Sequence, residues 1–385
     1  MDFGLTSEQQ MLLDSIRAFV DAELKPHEEE VERTNKVRPE LIQQIHAAAI
    51  KNGFYAANMP EELGGGGLDH VALTLMEREL GRTSFALQYA VARPSNILRA
   101  CQGEQIERYL LPAIRGERVE CLGLTEPNAG SDLRSMQTRA EADGDDFVIN
   151  GTKHFISYAD VADFIVLFAA SGVEDTAKGA KKKITSFLVD KGTKGLDVRM
   201  GPHSVSHRGF HHCELVFDNC HVNKSQVLGE VHRGFDVANQ WLGATRLTVA
   251  AQCVGRAQRA MEMAAQWAAT RKQFGQTIGK FQGTSFKLAD MATEIEAANL
   301  LCLQTAWKTD QGSVTDADYA MAKLYATEML ARVTDQTVQI FGGMGLMEEV
   351  GVERLWRDAR VERIWDGTSE IQRHIISRSV LRPLE

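Results

Sequence analysis

The hydrophobic period of this chain changes twice along its length, and few folds accommodate that change. Up to about Gly116 the apolar residues recur at helical spacing. Thr6-Ser7-Glu8-Gln9 has the spacing of a capping box, and Met11, Leu12, Ile16, Phe19, Val20 and Leu24 continue the period. A second helical segment runs from about Pro39 to Asn52-Gly53, a natural left-handed terminus, and a third opens at Asp69 and closes near Gly81. Residues 60–67, with four consecutive glycines, are too glycine-rich for a regular element.

From there the texture becomes β-prone. Residues 146–156 read as two short strands around Asn150-Gly151, the favoured two-residue hairpin turn, and further strand-like runs occupy 164–168, 184–189 and 214–217. From about Gly234 the helical period returns in long segments near 236–271, 281–311 and 316–341, with Ala and Met on the apolar faces. The pattern predicts an α+β, mostly α chain: an N-terminal helical domain over 1–118, a central β domain over 119–232 and a C-terminal helix bundle over 233–385.

The formal net charge of −9 argues against a general nucleic-acid or membrane-surface binder, which needs a basic surplus. The one basic run, Lys181-Lys182-Lys183, reads as a solvated loop. Six cysteines form no CxxC pair and read as reduced, mostly buried thiols. The N-terminal residues lack a signal-peptide pattern and no apolar run spans a bilayer, so the expectation is a soluble, cytoplasmic protein of bacterial type.

No phosphate-binding Walker loop is present, and Gly342-Gly343-Met344-Gly345 follows no strand, which leaves a nicotinamide-type dinucleotide fold unsupported. The cluster His203, His207, His211 and His212 lacks the carboxylate or cysteine complement of a metal site. Residues 124–132, Leu-Thr-Glu-Pro-Asn-Ala-Gly-Ser-Asp, place the hydroxyls of Thr125 and Ser131 on an irregular turn. Such a turn either is simply capped or holds a polar or carbonyl-rich ligand. Arg271-Lys272-Gln273-Phe274-Gly275 with Phe281-Gln282 sets a cation and amides beside aromatic surface, and Gln339 precedes the close-approach pair Gly342-Gly343. Near the C-terminus, Asp366-Gly367-Thr368-Ser369 reads as a helix start, capped by Thr368 or Ser369, with Asp366 near the positive end of the dipole.

Taken together, these stretches resemble the acyl-CoA dehydrogenase family of flavoproteins over essentially the whole chain and in the same motif order. The resemblance implies an N-terminal helical domain, a central β-barrel-like domain and a C-terminal four-helix bundle. It further implies a homotetramer, a dimer of dimers, with FAD between the β domain, the bundle and a neighbouring subunit. Leu124, Thr125 and Ser131 would contact flavin and acyl-CoA, with Ser131 toward the CoA. Phe155 would shield a flavin face, with Ile156 and Ser157 completing that pattern and Ser157 near the reactive nitrogen; most relatives carry Trp where Phe155 stands. Arg271, Gln273, Phe274 and Gln282 would reach the neighbour's FAD, Gln339, Gly342 and Gly343 would line its diphosphate and adenosine end, and Thr368 and Glu370 would complete the cofactor site. Arg246 matches an arginine that contacts the CoA part of the substrate, and Asp366 with Gly367 borders the substrate.

The implied reaction is α,β-dehydrogenation of an acyl-CoA to a 2-enoyl-CoA. A base takes the α-proton, flavin N5 takes the β-hydride, and an electron-transfer flavoprotein accepts the electrons. Asp366 stands where most relatives have Glu. Some relatives carry the base on the helix of Arg246 instead, but Thr245 occupies that place here. Retracting a carboxylate by more than ~1 Å is costly for a straight acyl chain. Asp also occurs there in some cyclic acyl-CoA dehydrogenases and in nitroalkane oxidases, so a branched, cyclic or otherwise bulky acyl group is expected. The segment 84–95 is expected to be a helix lining the acyl pocket in part, with Gln88, Tyr89 and Arg93 either exposed or, if Arg93 faces inward, suited to a carboxylated or oxygenated acyl group. The alternatives are a same-fold oxidase of a small carbon acid such as a nitroalkane, and a non-catalytic DNA-binding relative, against which the acidic charge counts.

Overall fold

Helix α1 (Ser7–Phe19) begins as its spacing predicts: the Thr6 hydroxyl accepts from the Gln9 backbone while the Gln9 side chain returns to the Thr6 amide. The computed structural model describes residues 4–91, 93–176 and 179–384. Helix α2 (Glu28–Thr34) follows, then α3 (Pro39–Lys51), which enters at its proline and ends before Gly53 at φ +73°. Asp69 caps α4 (His70–Leu80), which stops at Gly81. The segment expected to be a helix over 84–95 is mostly irregular: α5 (Phe85–Gln88) is one turn, and Ser95 caps a short 3-10 stretch after it. Helix α6 (Leu111–Ile114) closes the block.

The central block contributes β1 (Glu120–Gly123), β2 (Arg139–Asp143), β3 (Asp146–Ser157), β4 (Phe164–Thr176), β5 (Gly179–Asp190), β6 (Leu196–Met200), β7 (His212–Asn223) and β8 (Val227–Leu228). They form one curled sheet in the order β6-β7-β3-β2-β4-β5-β8, with β1 parallel to β4. Two readings of the sequence need correction here. Asn150-Gly151 is not a hairpin turn but lies inside the continuous strand β3, at a register shift against β7. A Cβ on Gly151 would come within 2.6 Å of the Thr138 backbone, so the glycine serves close approach, and the hairpin turn sits earlier, between Asp143 and Asp146. The lysine run is not a loop either: Lys181 pairs with Glu174 and Lys182 with Val173 in the β4–β5 ribbon.

The third block is built on α7 (Gly234–Thr270), α8 (Gln282–Asp310) and α9 (Asp316–Phe341), followed by α10 (Val352–Glu362) and α11 (Ser369–Leu381). Between α7 and α8 a hairpin of β9 (Lys272–Gln273) and β10 (Gln276–Thr277) turns through Phe274 and Gly275, both at positive φ. The bundle core is dominated by alanines, including Ala250, Ala257, Ala260, Ala264, Ala298 and Ala326, which lets the long helices approach closely. Helix α4 packs so tightly on α7 that a Cβ at Gly255 would lie 1.7 Å from the Arg78 carbonyl oxygen. Glu28, buried in the N-terminal block, accepts from Arg259 of α7 at 2.6 and 2.7 Å and so locks the two helical blocks together. All six cysteines are free and buried, and among the described residues no helix is long and apolar enough to cross a membrane.

Candidate active site

Asp366 sits on the short link between α10 and α11, with φ at +50°, a left-handed conformation that a non-glycine residue adopts at a cost. The link is held from behind. Lys323 of α9 is buried and donates from Nζ to three carbonyls, those of Glu362 (2.7 Å), Trp365 (3.0 Å) and Gly367 (2.9 Å). Gln372 Nε2 adds a bond of 2.8 Å to the Gly367 carbonyl. Of the two hydroxyls that follow, Thr368 caps α11, accepting from Ile371 N, whereas Ser369 donates to Glu328 at 2.7 Å.

The Trp365 ring is fixed with equal care. Its Nε1 donates to Glu362 Oε2 at 2.8 Å, and the ring stacks on His207 with centroids 5.0 Å apart and lies 4.9 Å from Phe85. Glu362 Oε1 accepts from Arg256 Nη1 at 2.5 Å and lies 3.1 Å from His207 Nε2. The His207 amide donates to Asp358 Oδ1 at 2.6 Å. Against the burial that raises it, Asp358 is held down to about 2 by His207 and Arg256. His207 is raised despite its burial because Asp358 and Glu362 flank it. A guanidinium, an imidazole whose protonated form the two acids favour, and two carboxylates thus cluster beneath the loop, and buried partners so matched resist separation. Sequence reasoning noticed His207 only as a member of a histidine cluster and missed Lys323, Arg256, Asp358 and Glu362, because partners as distant in sequence as Arg256 and Glu362 leave no local pattern.

Burial pushes the Asp366 carboxyl up to about 6, with Lys323 and Arg246 opposing the rise and Glu362 adding to it. Asp366 opens onto a cavity of about 890 Å³. Leu124, Thr125, Ser131, Phe155, Ile156 and Ser157 line the same cavity from the β block, and Arg246, Gly367 and Thr368 line it from the helical side. Phe155, at φ +56°, is 58% exposed, its ring in contact with His154 (centroids 3.9 Å apart) and edge-on to His212 at 6.4 Å, which leaves much of the ring open. Ser157 Oγ lies 3.0 Å from His212 Nδ1, and burial pushes His212 down to about 4, so that ring is neutral. Arg246 is buried, its Nε has no hydrogen-bond partner, and it stands near no matched carboxylate closer than the fields of Asp316 and Asp366. An under-paired buried guanidinium is a seat for an acceptor or anion.

Thr245 also lines the cavity, so the α7 turn offers no acid there. Glu77 of α4, which the sequence did not single out, does line it, accepts from Gln252 Nε2 at 2.8 Å and is pushed up to about 7 by burial. Gln88 and Arg93 prove to be buried cavity residues rather than exposed ones.

The remaining predicted residues gather elsewhere. Arg271, Gln273, Phe274 and Gln282 follow the far end of α7, and Gln339, Gly342 and Gly343 sit at the end of α9. Trp267 joins these ends, stacking on Phe341 at 4.9 Å while the Arg271 guanidinium lies 5.9 Å from its ring centre. None of the seven predicted residues lines the cavity; all seven are exposed, Phe274 at 94%. A Cβ at Gly342 or Gly343 would meet nothing within 4 Å, so that surface is open to a large group. Glu370, in the first turn of α11, is exposed and outside the cavity.

A half-exposed aromatic ring, hydroxyls on a turn and a carboxyl across the cavity suit a planar flavin stacked between the β block and the helices, and the exposed far-end cluster suits the extended remainder of a dinucleotide. Family models described as the N-terminal, middle and C-terminal domains of acyl-CoA dehydrogenase match residues 6–117, 121–220 and 232–381. A protein of Clostridium sporogenes called 3-(aryl)acrylate reductase is 36% identical, over 98% of this chain and 99% of its own. The CarC subunit of the caffeyl-CoA reductase-Etf complex of Acetobacterium woodii is 36% identical over the same shares, 98% and 99%. The solved structure of butyryl-CoA dehydrogenase from Megasphaera elsdenii superposes with a TM-score of 0.90 at 34% identity, covering 99% of this chain and 100% of that one.

Proposed function

This chain belongs to the FAD-dependent acyl-CoA dehydrogenase family, and we propose on that footing that Asp366 is the base that moves the α-proton of an acyl-CoA thioester. The observation that carries the proposal is a carboxyl pushed up to about 6, facing a cavity that also holds the under-paired Arg246. A base near neutrality is ionised at working pH yet holds a proton well enough to take one from carbon.

FAD, when bound, supplies the acceptor for the β-hydrogen. The chain's own residues divide the rest of the work. Phe155, Ile156, Ser157, Leu124 and Thr125 hold the flavin against the β block; Ser131 and Arg246 hold the CoA side of the substrate; Asp366 exchanges the proton at the α-carbon. Lys323 keeps the Asp366 link fixed, so the carboxylate meets that carbon without first being ordered. A flavin and an acyl chain filling the cavity would displace water from around the carboxyl and strengthen each of these interactions. Because proton transfer is reversible, the same atoms serve reduction of a 2-enoyl-CoA, the direction in which the two reductase relatives are named.

Arg271, Gln273, Phe274, Gln282, Gln339, Gly342, Gly343 and Glu370 act, in this reading, on FAD shared with a neighbouring copy, in a homotetramer. Phe274 supports this by standing almost wholly exposed, unusual for a phenylalanine in a lone chain. An electron-transfer flavoprotein is the electron partner, as the Etf complex of the Acetobacterium relative suggests. The short Asp366 beside the locked Trp365 favours a branched, cyclic or bulky acyl group; better turnover of unbranched C4–C8 esters than of ring or α-branched ones would remove that part. The test of the base is anaerobic titration of the FAD-loaded protein with acyl-CoAs. Asp366→Asn should bind ligand and keep FAD but lose flavin reduction, while Glu77→Gln should retain it. The reverse pattern would transfer the role to Glu77. Rapid reoxidation of the reduced protein by oxygen would instead favour an oxidase of a small carbon acid.

A further inference from the structure

The inner wall of the cavity carries polarity that the chain leaves unused. Gln88, the last residue of α5, is 1% exposed and lines the cavity, yet neither its Nε2 nor its Oε1 has a hydrogen-bond partner. Burying a primary amide with both ends unsatisfied is costly, so such a group in a cavity wall points to a ligand that completes it. An apolar side chain would have served a hydrocarbon tail better.

Arg93, on the segment just after Gln88, lines the same cavity at 3% exposure. Its charge is already matched. Nη2 lies 2.7 Å from Glu120 Oε1 and donates to the Glu120 carbonyl at 2.5 Å, while Nη1 donates to the Tyr89 hydroxyl. Arg93 Nε and Glu120 Oε2 remain without partners. At Gln88 and Arg93 the wall therefore offers unused hydrogen-bonding capacity, with the guanidinium's charge matched by Glu120 behind the lining; the exposed Arg99 also lines the cavity. At Arg93 a substrate carboxylate would meet a guanidinium whose charge is already matched by Glu120. Glu77, on the α4 side, adds a carboxyl that burial keeps partly protonated near neutral pH, a further neutral donor.

We infer that the acyl group accepted here carries a neutral oxygen function, a hydroxyl or a carbonyl, which hydrogen-bonds the Gln88 amide, and that a terminal carboxylate or a plain hydrocarbon chain fits worse. The inference rests on the acyl-CoA reading of the cavity and adds to it the chemistry of the tail.

The test uses FAD-loaded protein and anaerobic flavin reduction with four acyl-CoAs matched in length: unsubstituted, hydroxylated at a distal carbon, oxidised to a ketone at that carbon, and terminally carboxylated. The hydroxylated or keto ester is expected to exceed both others in kcat/KM by at least about tenfold, since a site built to hydrogen-bond an oxygen rejects the analogue that lacks it. In Gln88→Met, of similar volume, that advantage over the unsubstituted ester should shrink to within about twofold. Equal or better use of the unsubstituted ester by the unaltered protein overturns the inference while leaving the acyl-CoA reading standing. Preference for the carboxylated ester overturns it too and makes Arg93 a cationic anchor. Failure of every ester to reduce the flavin removes the acyl-CoA reading and this inference with it. The ranking in the unaltered protein decides the matter even if Gln88→Met does not fold.

Discussion

The two ends of the C-terminal bundle are built on opposite plans. At one end the Asp366 link is surrounded by its own chain: Lys323 holds three carbonyls, and Arg256, His207, Asp358 and Glu362 neutralise one another beneath Trp365. At the other end Arg271, Gln273, Phe274, Gly342 and Gly343 are exposed, with little of the chain against them. A group that handles a proton must be positioned before the substrate arrives, and only dense packing within one chain does that. A group that grips a long cofactor or another subunit can gain its order from what it binds.

The contrast can be broken or sharpened by substitution. The largest effect is expected at the buried charge cluster. Arg256→Met leaves Glu362 without its closest cation, which should cost about 3–5 kcal/mol of stability. Thermal or denaturant unfolding measures it, and a loss below about 1 kcal/mol would show that the cluster does not hold the link. Next comes Lys323→Met, which removes the donor from three carbonyls at once. With FAD retained, the rate of flavin reduction should fall about a hundredfold, the scale for a displacement near 1 Å. A rate unchanged within twofold would mean that Asp366 needs no such support.

The pH profile gives a smaller and more diagnostic effect. The Asp366 carboxyl is raised to about 6, and only its ionised form accepts a proton. In the dehydrogenation direction kcat/KM should therefore be level above about 6 and fall roughly tenfold per unit as pH drops below it. A limb near the ordinary aspartate value, around 4, would place the carboxyl in contact with water. The smallest effect belongs to the exposed end. Phe274→Ala should alter the unfolding stability of the isolated chain by less than about 0.5 kcal/mol, yet weaken FAD retention and subunit association. Sedimentation and flavin content read these separately, and a stability loss as large as that of Arg256→Met would erase the contrast between the two ends.

Much of this architecture can be read from local sequence, and the exceptions have physical causes. The capping box at Thr6, the Asp69 cap and the Gly53 and Gly81 stops all lie where spacing places them, because helix ends are decided within one turn. Asn150-Gly151 misleads because the same dipeptide suits a hairpin turn and a close strand crossing, and only the position of Thr138 separates them. The cavity side of the candidate site was legible in short motifs such as 124–132 and 155–157. Its support was not: Lys323 reads as an ordinary polar position on a periodic helix, and its role exists only where α9 meets the link before α11. Glu77 escaped, and Gln88 and Arg93 stayed open between pocket and solvent, for the same reason: a polar residue turned into a cavity has the same sequence signature as one turned to solvent.

The central claim is that one carboxylate, shaped by burial and fixed by Lys323, moves the proton. Anaerobic stopped-flow reduction of FAD-loaded Asp366→Asn by an acyl-CoA tests it most directly. Flavin content and ligand binding should stay near those of the unaltered protein while the reduction rate falls by about two to four orders of magnitude. Reduction at an undiminished rate would contradict the account and place the base on another residue.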